Sequence, residues 1–190
     1  MRYQVTIAGL SPLLMNRFPI EMASVPGGKN AGRSSYRGAE GGPVEQAAPR
    51  LYADEKGNLF IPGANLLACL VEAGKFLKSG RNKLTTMKSS LVPAGVAVEE
   101  ARCGLGTKEW AVDSRRVVNP ATGGGMICHR PMLAQWGLSF HLSVDADLFA
   151  GELVRQLVCL AGKRVGLGDF RPSRRGPFGR FELAEWKEVA

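Results

Sequence analysis

Residues 138–144 alternate without interruption. Leu138, Phe140, Leu142 and Val144 fall on one face, and Ser139, His141 and Ser143 on the other. A period of two marks a strand with one face buried and one open. Something must cover the apolar face, and the next segment supplies it. Phe149, Leu153, Leu157 and Leu160 recur at helical spacing, with Asp145 or Asp147 expected as the cap. The same pairing of strand and helix occurs earlier. Tyr3, Val5 and Ile7 alternate with Gln4 and Thr6, closed by Gly9 and the Ser11-Pro12 turn, with a short resumption at 13–15. Pro62-Gly63 then opens a helix whose face carries Leu66, Leu67, Leu70, Val71, Gly74 and Leu77. Strands backed by helices around one core make an α+β protein.

The remaining segments fit between these. A turn over 54–58 is expected to join Leu51-Tyr52 to Leu59-Phe60-Ile61 as a hairpin. Short strands are expected at 91–92 and 96–98. Residues 110–118 and 126–133 read as a second hairpin (110–133 in all) with a glycine-bearing tip, and Phe181 and Leu183 as a last strand ending near Trp186. Residues 16–50 carry Gly27, Gly28, Gly32, Gly38, Gly41 and Gly42 among Lys29, Arg33 and Arg37, with few apolar side chains, and read as a flexible glycine-rich insertion. Without insertions the order is strand, helix, strand, strand, helix, strand. That is a ferredoxin-like (RRM-like) βαββαβ core, with 1–190 as a single domain.

An apolar fraction of 45% excludes wholesale disorder. No apolar run reaches the roughly 18 residues needed to span a bilayer. Arg2-Tyr3-Gln4 leads directly into the first strand without a signal-peptide core, so no membrane partner and a cytoplasmic location are expected. Cys69, Cys103, Cys128 and Cys159 stand far apart, with only His129 and His141 to join them, so neither a metal site nor a cofactor is expected. Cys69 and Cys159 lie in apolar helical patterns and read as core thiols.

Charge points further. Lys and Arg number 25 against 17 Asp and Glu, a net +8. Residues 163–181 hold Lys163, Arg164, Arg171, Arg174, Arg175 and Arg180 with one acid, Asp169, and so carry five of that excess. Gly166 and Gly168 allow a backbone to approach a phosphate, and arginines supply forked donors that fit it. Phe170 and Phe178 can stack on bases beside them. The loop follows a helix and precedes a strand, so it is no Rossmann turn, and no Gly-Lys-Ser/Thr marks a Walker loop.

The helix entry Phe60-Ile61-Pro62-Gly63-Ala64-Asn65-Leu66-Leu67, the opening Tyr3-Gln4-Val5-Thr6-Ile7-Ala8-Gly9-Leu10-Ser11-Pro12-Leu13 and the strand start Gly179-Arg180-Phe181 stand in a fixed order. In that order they resemble the RAMP superfamily of CRISPR-associated RNA-binding proteins, and most of all the backbone subunits of CRISPR effector complexes. The resemblance covers about a third of the chain. The chain is shorter than usual backbone subunits and its loop is richer in arginine.

The resemblance implies a non-catalytic antiviral-defence subunit that grips guide RNA phosphates and lines up with copies of itself and other effector subunits. Target nucleic acid would be read through the guide. It also implies that 110–133 is a thumb, with Arg115, Arg116, His129 and Arg130 as RNA contacts. Lys75 and Lys78, with Arg81 and Lys83, would extend the groove. Two alternatives stay open: a guide-processing endoribonuclease using His129 or His141 as general base, and a binding protein working outside CRISPR, on single-stranded nucleic acid or on an acidic protein. His141 reads more simply as a satisfied histidine, and Asp113 has no visible carboxylate partner for a metal.

Overall fold

The computed structural model describes residues 1–18, 41–118 and 123–189. Its strands are β1 (Arg2–Gly9), β2 (Leu13–Leu14), β3 (Phe60–Pro62), β4 (Lys78–Ser79), β5 (Asn82–Lys83), β6 (Val96–Val98), β7 (Arg102–Gly104), β8 (Ala111–Val118), β9 (Gly125–Leu133), β10 (Gly137–Val144) and β11 (Phe181–Val189). Its helices are α1 (Pro43–Ala47), α2 (Gly63–Ala73), α3 (Val92–Gly95) and α4 (Gly151–Leu160). The main sheet is antiparallel in the order β11-β1-β10-β6. A second sheet joins β2 to the β8–β9 ribbon.

Periodicity decides which side of the main sheet is dry. Val5, Ile7, Leu138, Phe140, Leu142 and Val144 are buried against Leu66, Cys69, Leu70 and Ala73 of α2 and Val154, Leu157 and Val158 of α4. Those helical residues recur at three and four, one stripe per helix. Each fully buried aliphatic side chain contributes roughly 1.5–3 kcal/mol. The opposite face keeps Thr6, Ser139, His141 and Ser143 partly or fully exposed. In β11 one extra residue, Ala184, is absorbed by a bulge, because Thr6 pairs with Glu185 and Ile7 with Leu183. That keeps Trp186 on the helix side, where it stacks on Tyr3 at 4.6 Å.

Several expectations need correction. Inside 16–50, α1 starts at Pro43, with the Glu45 carboxylate accepting the Gly42 N–H at 2.8 Å, and a 3-10 turn follows at Ala48–Arg50. Residues 19–40 lie outside the described residues. The 54–58 turn forms, with Asp54 accepting the Lys56 and Asn58 N–H groups. Its flanks meet through the Ala53–Leu59 bridge and the Phe60 N–H donating to Tyr52 O at 3.0 Å, and β3 pairs with β7 as well. Leu91-Val92 is not a strand but the entry to α3. The N-cap of α4 is Ala150, which has no side-chain acceptor. Asp145 accepts the Asp147 N–H in the preceding turn. Cys159 is exposed, on the side of α4 opposite its buried stripe. No helix among the described residues is long and apolar enough to cross a membrane.

Candidate functional site

Helix α4 ends in a π turn, Ala161–Val165, closed by the Gly166 N–H donating to Ala161 O at 2.9 Å. The glycine-arginine loop starts there and is held at both ends by backbone bonds. Leu167 N–H donates to Gly179 O (2.9 Å), Gly179 N–H to Pro12 O (2.8 Å) and Asp169 N–H to Leu14 O (2.8 Å). The approach is close enough that a Cβ on Gly168 would overlap Leu14 O, and one on Gly179 would overlap Leu167 O. Beneath the loop, Cys69 donates to Gly166 O at 3.3 Å, and burial pushes its thiol up to about 12, so it is an inert structural group. Beside this contact a cavity of about 220 Å³ is lined by Asn16, Tyr52, Asn65, Gly168, Asp169 and Arg171.

The β8–β9 ribbon stands beside this loop. Its register pairs Asp113 with Arg130, Arg115 with Cys128, Ser114 with His129 and Arg116 with Ile127. Alternation therefore puts Arg115 and Arg130 on the loop side and Arg116 and His129 on the other. Arg130 is buried, only 5% exposed, and lies between two carboxylates: Asp169 at 2.7 Å and Asp113 at 3.9 Å. Asp169 also accepts from Asn16 (3.1 Å), whose own oxygen accepts from Arg50 (2.8 Å). Arg130 therefore pins ribbon to loop from inside and presents no guanidinium to solvent. Arg115 is paired with Asp113 at 2.8 Å and lies 4.6 Å over Phe178, which is itself buried and closed to a base. Phe170 is half-buried, 6.0 Å from Phe178, with φ +47°.

The solvent side is cationic. Lys163, Arg164, Arg174, Arg175 and Arg180 are exposed. None of the five makes an ion pair among the described residues. Pro172–Arg174 form a 3-10 turn that ends with Arg175 at φ +63°. Arg180 donates to Lys163 O (3.0 Å), and Arg164 lies 5.0 Å over the Phe76 ring. Arg171 is turned inward to Gly168 O (2.9 Å) and Glu72 (3.5 Å), and Gly166 is buried behind it. Lys75 and Lys78 are exposed past the end of α2. The Asn16–Asp169–Arg130–Asp113 chain has no local signature. Only the 113–130 register, once known, brings its ribbon members together.

The histidines are separate. His129 Nδ1 bonds to the Ser114 hydroxyl at 2.7 Å on the ribbon's far face. His141 Nδ1 lies 2.6 Å from Glu100 Oε1 on the open face of the main sheet. Burial opposes ionisation of Glu100, but bonds from the His141 N–H and imidazole outweigh it and hold the carboxyl below its ordinary 4.5. A lowered folded value means stability that is present above pH 4.5 and fades as pH falls through the folded value. Glu100→Gln should therefore flatten the acid side of the stability curve. Urea midpoints from about pH 6 to about pH 3 check this, and parallel wild-type and variant curves would remove the pair from the account. Ribbon tip residues 119–122 lie outside the described residues. No protein-family model matches the chain, and no curated protein does.

Proposed function

We propose that the chain is a non-catalytic, single-stranded-RNA-binding backbone subunit of a CRISPR-type effector. On this reading it holds guide phosphates on the glycine-arginine loop and lines up with further copies along the guide. One observation carries the reading: five exposed cations without ion pairs among the described residues, on a loop whose backbone is fixed from both sides. Fixed cations bind a phosphate chain with little ordering cost and without sequence preference. The antiparallel order β11-β1-β10-β6, with α2 and α4 packed on one face, supports a ferredoxin-like core. Sequence would be read by pairing through the guide, not by the protein.

The test is fluorescence anisotropy with several unrelated single-stranded RNAs. Arg174→Ala with Arg175→Ala should weaken all of them alike, by roughly tenfold or more at low salt, and lower the salt slope by about 1.4. Unchanged affinity would end the role of this loop. Light scattering of the purified protein before and after RNase tests lining-up on RNA. A large species that falls to about the 20.4 kDa monomer is the expected result.

A further inference from the structure

Residues 74–91 contain Lys75, Lys78, Arg81, Lys83 and Lys88 and no acid. The segment is built, not merely charged. β4 pairs with β5, Leu84 N–H donates to Leu77 O (3.0 Å), Thr85 N–H to Gly74 O (3.2 Å) and Leu91 N–H to Leu84 O (2.8 Å). Leu84 and Thr85 are buried beneath it, and the Thr85 and Ser90 hydroxyls meet at 2.7 Å. These bonds shape an open cleft of about 780 Å³, lined by Lys75, Arg81, Lys83, Thr86, Met87 and Ser89 among others. Lys78, Arg81, Lys83 and Lys88 make no ion pair among the described residues, and Lys75 reaches Glu72 only at 3.8 Å. Like charges gathered in a concavity repel one another and focus a positive field outward, which a polyanion relieves.

The cleft is joined to the glycine-arginine loop. Glu72 bridges Lys75, Arg171 (3.5 Å) and the Ser173 hydroxyl (3.1 Å), and Arg164 of the loop covers Phe76 beside the cleft. We infer that the cleft is a second phosphodiester subsite, continuous with the loop across the C-terminal end of α2, so that one single-stranded RNA occupies both. This rests on the RNA-binding reading above. A nucleic acid fits better than an anionic lipid surface because the cations and hydroxyls line a concavity. Phe76, 47% exposed beneath Arg164, also adds a stacking platform.

The experiment compares RNAs of about 8 nucleotides, within the size of a single-module site, and about 24, beyond it, on the wild type, Arg81→Ala/Lys83→Ala and Arg174→Ala/Arg175→Ala. All four side chains are exposed, and melting curves confirm that each variant folds. The cleft variant should keep wild-type affinity for the short RNA, lose roughly tenfold on the long one and lose about 1.4 of its salt slope. If the cleft variant matches wild type on the long RNA while the loop variant loses binding, the second subsite falls and the RNA reading stands. If the wild type binds neither RNA, both fall. Cleft-dependent binding to phosphatidylserine vesicles, with RNA affinity unmoved, would overturn the inference in favour of a membrane surface.

Discussion

Gly179→Ala should lower stability by roughly 4 kcal/mol. About 1–2 kcal/mol comes from placing an L side chain at φ +68°, and about 1–3 kcal/mol from overlap with the Leu167 carbonyl. The overlap cannot relax cheaply. Leu167 N–H is bonded to Gly179 O, and Gly179 N–H to Pro12 O, so a shift that frees the Cβ breaks one of them. Gly106 is the control, because it has the same φ of +68° and open space within 4 Å of where a Cβ would stand. Gly106→Ala isolates the conformational cost, about 1–2 kcal/mol. At roughly 2–4 °C per kcal/mol for a chain of this size, the melting temperature of Gly179→Ala should fall by about 10 °C and that of Gly106→Ala by far less. Equal melting temperatures would mean that the loop yields, and that its backbone is not the fixed frame assigned to it.

Arg130→Met should cost about 3 kcal/mol, the lower end of what removing one partner of a buried ion pair does. Asp113, with an 8% exposed side chain, keeps Arg115, and Asp169 keeps Asn16, so neither carboxylate is left wholly alone. The Arg130 Nε has no hydrogen-bond partner among the described residues, so methionine also removes one unmet donor, which holds the loss at that lower end. Asp169→Asn in the Arg130→Met background should cost less than in the wild type, giving a coupling of at least about 1 kcal/mol in urea unfolding. Additive losses would show that ribbon and loop are not joined through this pair.

The elements legible in the sequence are those whose pattern is local and one-sided. Leu138 to Val144 alternate, and Leu66, Leu70 and Ala73 repeat at three to four, so strand and helix follow from spacing alone. Pairings across long separations are not legible in this way. β3 pairs with β7, some forty residues on, and nothing in Phe60-Ile61-Pro62 announces that partner in addition to the nearer Tyr52. The start of α4 is hidden because its cap, Ala150, carries no polar side chain, while two aspartates nearby do. The apolar neighbours of Cys159 suggest burial, although the Val154, Leu157, Val158 and Ala161 stripe leaves it outside. In the site, composition alone marks the loop cations. It does not separate exposed Arg116 from buried Arg130, because that difference depends on ribbon face and on Asp169 arriving from another part of the chain.

The bulge at Ala184 bears on edge-to-edge association of the main sheet. β11 is a nine-residue outer strand, long enough to template another chain's strand and seed aggregation. The extra residue twists it away from a flat pairing surface, and Glu182, Glu185, Lys187 and Glu188 set charge along it. The opposite border of the sheet, β6, is only three residues long. Both borders are therefore poor templates, so if copies line up on RNA as proposed, they would touch through surfaces other than a continued sheet.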